Sequence, residues 1–161
     1  ADTSGTQERI YSISEGVTWY MSPAIAYDNL YFGAESTFYA IDLTRFHNQD
    51  PNPFRWRYDA PPGEASPFVG SPAVANGYVY AAMDDIGEID GAFYGFHAFT
   101  GERIFYYIGN NGIGSAQVAP VVAEGYVIFA SYDDNERLEQ GVYCFKKKTS
   151  TRRGGKQVFA P

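Results

Sequence analysis

The sequence predicts an all-β fold made of repeated four-stranded units. Three observations carry that expectation. Related text recurs at a nearly fixed spacing, as "SPAIAYDNLYFGAE" from residue 22, "SPAVANGYVYAAMDD" from residue 71 and "APVVAEGYVIFASYDD" from residue 119. Turn formers are plentiful, with 17 Gly and 9 Pro in 161 residues, which suits many short strands. Aromatic residues are plentiful too, 14 Tyr, 12 Phe and 2 Trp, and no stretch has helical periodicity.

Each unit reads as four segments in order. The first comes after a Ser-Pro or Ala-Pro pair and reads "AIA", "AVA" or "VVA". Proline belongs at a strand start, where its missing N–H does least harm. A two-residue turn comes next, assigned to Asp28-Asn29, Asn76-Gly77 and Glu124-Gly125; such pairs accept the positive φ that a tight hairpin needs. The second strands are "LYFGA", "YVYAAM" and "YVIFAS". The third strands are "TFYAID", "AFYGFH" and "VYCFKK". The fourth strands are "FRWRYDA", "RIFYYIG" and, with a weaker match, "KQVFAP".

Four short strands per unit is the pattern of a β-propeller blade. The expected boundaries are 15–62, 63–112 and 113–161. A small twisted sheet cannot bury both faces alone, so it must stack on neighbours, and this explains the repetition. On the third strands, Ala40, Gly95 and Cys144 share a position reserved for small residues, which makes Cys144 a buried, inert thiol. Asp42, His97 and Lys146 share another position, where chemistry varies and solvent is expected.

The segment "SPAVANGYVYAAMDD…GAFYGFHAFTGERIFYY" resembles the repeat of pyrroloquinoline-quinone-like (PQQ-like) β-propellers. Thr100-Gly101 and Phe105 stand where that repeat has Thr-Gly and Trp, and Trp56 stands there in the first unit. The resemblance implies a scaffold that binds protein partners, placed outside the cytoplasm. It also raises a second reading, a fragment of a PQQ-dependent quinoprotein dehydrogenase. The chain has no adjacent cysteine pair and no haem-attachment motif, so no residue carries over as a PQQ ligand or catalytic base. The expectation is a non-catalytic module without a cofactor.

"ERIYSIS" (8–14) matches "ERIFYYI" (102–108), so the N-terminus carries an orphan fourth strand. One orphan strand and three units make a partial propeller, because closed rings have about four to eight blades. An open stack is expected to expose apolar faces at both ends. Three completions are open: a longer propeller, a six-bladed ring of two chains, or a head-to-tail filament. In the last two, Glu8, Arg9, Ile10 and Tyr11 would pair with a neighbour's third strand near Val142 and Tyr143.

Charge excludes some partners. All 19 Asp and Glu precede Lys146, and six of the 12 Lys and Arg lie within 146–156. The body is therefore acidic and repels nucleic acid, while the basic tail could meet an acidic surface. No apolar run approaches the ~20 residues of a membrane span. Two acidic loops, "DDIGEID" (84–90) and "DDNERLEQ" (133–140), come after second strands of adjacent units and should share one end of the stack. Asp84, Asp85, Glu88, Asp90, Asp133 and Asp134, with Glu136, are the candidate calcium ligands, since calcium takes six to eight oxygens. The bland reading is a pair of solvated loops. His47 and His97 are the only histidines, and "GNNGIGS" (109–115) reads as a crossing between units rather than a phosphate loop.

Overall fold

The structure, a computed structural model, describes residues 20–86, 89–133, 138–147 and 159–160. It is all-β, with three four-stranded antiparallel sheets, each strand pairing with the next in the chain. Sheet 1 holds β1 (Ala24–Ala26), β2 (Asn29–Ala34), β3 (Thr37–Asp42) and β4 (Phe54–Asp59). Sheet 2 holds β5 (Phe68–Ala75), β6 (Tyr78–Met83), β7 (Ala92–His97) and β8 (Arg103–Tyr107). Sheet 3 holds β9 (Val121–Ala123), β10 (Tyr126–Ser131), β11 (Gly141–Lys147) and β12 (Phe159–Ala160). The second and third strands of every unit fall where the repeat places them.

Three local expectations need correction. In the first hairpin Ala26 pairs with Asn29, so the turn is Tyr27-Asp28, one residue earlier than expected. Both turn residues have positive φ, 52° and 55°, as do Asn76-Gly77 and Glu124-Gly125. Asn29 begins β2 instead, where its Nδ2 donates to the Tyr27 carbonyl at 2.6 Å. Pro72 does not open its strand: β5 starts at Phe68 and carries an irregularity between Val69 and Ala73, which absorbs the proline. Finally, a five-residue helix α1 (Leu43–His47) comes directly after β3. Asp42 caps it, accepting from Thr44 N at 3.0 Å and Arg45 N at 3.1 Å. Asp42 is thus buried rather than solvent-facing, and Arg55 Nη2 donates to its second oxygen at 2.6 Å.

Strand alternation builds the stack. On β7, Tyr94 and Phe96 join Tyr31, Phe38, Ala40 and Trp56 of sheet 1 in one core. Phe93, on the other side of the same strand, joins Val127, Phe129 and Phe145 of sheet 3. Phe38 stacks on Phe96 at 5.5 Å between centroids, and Phe93 stacks on Phe129 at 4.0 Å. The first strands lie side by side, β1 next to β5 and β5 next to β9. Ser22 N donates to Ser71 Oγ, and Gly77 N donates to the Tyr27 hydroxyl, both at 2.9 Å.

The two ends of the stack differ. The far face of sheet 1 is closed: Phe32, Ala34, Tyr39 and Ile41 are buried, with Met21, Leu30, Phe46 and Phe54 packed against them. Phe46 comes from α1, which the sequence did not announce. The far face of sheet 3 is open, with Val142 76% exposed and Val121 57% exposed. Exposure at both ends was expected; one end shows it. None of the described helices is long and apolar enough to cross a membrane.

Candidate functional site

The two acidic loops do meet at one end of the stack. The glycine-rich segment between β8 and β9 joins them. Gly91 N donates to the Ile113 carbonyl at 2.8 Å, and Gly114 N donates to the Glu139 carbonyl at 3.1 Å. Ile113 is fully buried between the loops. The glycines make room: a Cβ at Gly114 would collide with the Tyr132 carbonyl oxygen, and one at Gly91 with that of Gly114. The expected crossing between units is therefore also the clamp that holds the loops together.

The described carboxylates of this junction serve the backbone. Asp84 Oδ1 accepts from Asp85 N at 3.1 Å, and Asp133 Oδ2 accepts from Leu138 N at 2.5 Å. Glu139 Oε1 accepts from Asn110 N at 3.3 Å. Asp90 lies against Gly112, whose φ of 80° and lack of a side chain admit the carboxylate. Burial pushes the Asp85 carboxyl above the ordinary carboxylate range, and the negative charges of Asp84 and Asp133 push the same way. Backbone hydrogen bonds from the Asp85 amide and, less strongly, the Ser115 amide partly offset this. Asp85 and Asp133 belong to different units, so the two loops lie near enough for one carboxylate to act on the other.

Among the described residues no three His, Cys, Asp or Glu side chains gather in a metal-holding arrangement. Glu88, Asp134 and Glu136 lie outside the described residues, as do Glu8, Arg9, Ile10 and Tyr11. His47 is exposed at the end of α1. His97 is half-buried, and its Nδ1 accepts from Phe99 N at 3.4 Å. Tyr143 turns inward, stacked on Phe129 at 4.8 Å, while Val142 turns out.

Cys144 is exposed, contrary to the expectation of a buried thiol. It does occupy the position of Ala40 and Gly95, but those residues are covered by the next sheet, whereas sheet 3 carries its small residue on the open face. Beside that face lies a pocket of ≈ 260 Å³ lined by Ser115, Gln117, Val118, Ala130, Ser131 and Tyr132. Ser115 is 6% exposed and its Oγ has no hydrogen-bond partner among the described residues.

The arrangement can hold surfaces in place: carboxylates held by amides, glycines at close approaches, and aromatic side chains between sheets. No protein-family model matches the chain, and the search of curated proteins finds no match.

Proposed function

We propose that the chain is a non-catalytic β-propeller module of the PQQ-like type that acts as a scaffold for protein partners. The observation that supports it is the stacking itself. One four-strand unit occurs three times, and alternate side chains of its third strand serve two neighbours, Tyr94 and Phe96 on one side and Phe93 on the other. A chain organised this way invests its aromatic residues in joining sheets. At the loop end, Ile86 within the first acidic loop and Tyr132 just before the second are 50% and 63% exposed. A rigid base with exposed aromatic and aliphatic side chains suits protein contact.

The test is to titrate the full chain with PQQ and calcium, monitoring tryptophan fluorescence, and then to assay dye-linked alcohol oxidation. The scaffold reading expects no saturable binding and no turnover. Saturable PQQ binding with calcium-dependent turnover would overturn it in favour of the dehydrogenase fragment.

A further inference from the structure

The open face of sheet 3 repeats two faces that are closed inside the molecule. Aligning the hairpins by their turn residues places Gly33, Ala82 and Ala130 at one position, and their cross-strand partners Phe38, Phe93 and Val142 at another. Ala40, Gly95 and Cys144 align in the same way. At the first junction Gly33 meets Phe68, the residue four before Pro72; a Cβ on Gly33 would collide with the Phe68 Cβ. At the second junction Ala82 shares a core with Ala116, the residue four before Pro120. At the third position Ala130 lines the pocket of ≈ 260 Å³, with Val142 and Cys144 exposed on the same face.

We propose that this face is a docking site for a fourth unit of the same repeat, one carrying Tyr-x-Phe on its third strand and an apolar residue four before its proline. The proposal rests on the stacked-repeat reading above and names the face and the partner. Continuity with the two internal junctions identifies the occupant. In both, the incoming sheet brings Tyr and Phe at these positions, Tyr94 with Phe96 and then Tyr143 with Phe145, and both pairs pack inward on the preceding sheet. The pocket at Ala130 receives the apolar residue four before the proline, as Gly33 receives Phe68. A second copy of the chain is a poorer occupant, because the Tyr39 and Ile41 face of its own sheet 1 is already covered.

The test appends a second copy of residues 64–112 after Pro161 of the full chain and monitors Cys144 with a fluorescent maleimide. A docked fourth unit slows labelling roughly tenfold or more relative to the unextended chain. Val142→Glu in the extended chain restores fast labelling, and so does Phe68→Ser placed only in the added copy. An added unit that folds, by amide exchange, while Cys144 stays fully reactive overturns the docking face and leaves the scaffold reading standing. An added unit that stays unfolded overturns it as well, because docking is what would fold it. Protection of Cys144 in the unextended chain that rises with concentration overturns it in favour of a second copy.

Discussion

The indole Nε1 of Trp56 donates to the backbone carbonyl of Ala98 at 2.8 Å, across the junction between the first two sheets. The same carbonyl accepts from the Tyr31 hydroxyl at 3.1 Å. Two side chains of sheet 1 therefore meet one buried oxygen in the turn just after β7. Trp56→Phe removes one donor and keeps an aromatic ring, as Phe105 does naturally in the next unit, and is expected to cost about 1–2 kcal/mol. Tyr31→Phe should cost about 1 kcal/mol. The double variant should cost more than both together, because the oxygen is left buried without a donor. Urea unfolding of the four proteins measures the coupling; strictly additive losses would mean that the shared carbonyl does not matter.

Gly101 and Gly77 separate backbone strain from crowding. Both have positive φ, 72° and 81°. Nothing surrounds a Cβ at Gly77, whereas one at Gly101 would stand 2.7 Å from Trp56 Cδ2. Gly77→Ala is expected to cost about 1 kcal/mol, and Gly101→Ala about 1–3 kcal/mol more. Equal losses in thermal unfolding would place Trp56 away from Gly101.

Two aspartates give stability opposite pH dependences. The hydrogen bond from Arg45 N, helped by the Arg55 charge, holds the Asp42 carboxyl below its ordinary value of 3.8. Its contribution is present above that pH and is lost as pH falls through the depressed folded value. Asp42→Asn keeps a capping side chain but loses the charge facing Arg55, so its destabilisation at pH 7 should shrink toward pH 3. Asp42→Ala loses the cap as well, about 1–2 kcal/mol.

Asp85 runs the other way. Its carboxyl is raised by burial and by its acidic neighbours, so the folded state holds a proton that the unfolded state releases near 3.8. Folding is penalised increasingly as pH rises from there through the raised folded value. Asp85→Asn should therefore raise the melting temperature at pH 7 and leave it unchanged near pH 3. A lower melting temperature at pH 7 would mean that the carboxylate is better served by its donors than its burial suggests.

The repeat was legible because proline, turn and alternating apolar residues recur together, and every second and third strand can be read from it. The first turn was misplaced because Asn29 looks like a turn residue, yet its side chain is engaged inside the sheet by Tyr27 and by Arg55 Nε at 2.5 Å. α1 is too short for periodicity; the only signal was Asp42 ahead of Leu43-Thr44-Arg45, a capping pattern. Ile113 was hidden as one apolar residue among glycines. Cys144 was placed at the right position of the repeat, but its exposure depends on whether a further sheet covers sheet 3, and a position within a repeat does not encode that.

Thiol reactivity at one repeat position tests the stacked arrangement most directly. Ala40→Cys in a Cys144→Ser background puts a thiol where sheet 2 covers sheet 1, and native Cys144 puts one on the open face of sheet 3. The account predicts fast maleimide labelling at Cys144 and labelling at position 40 that waits on unfolding. Equal rates at the two positions, or a protected Cys144 in the monomeric chain, would contradict it.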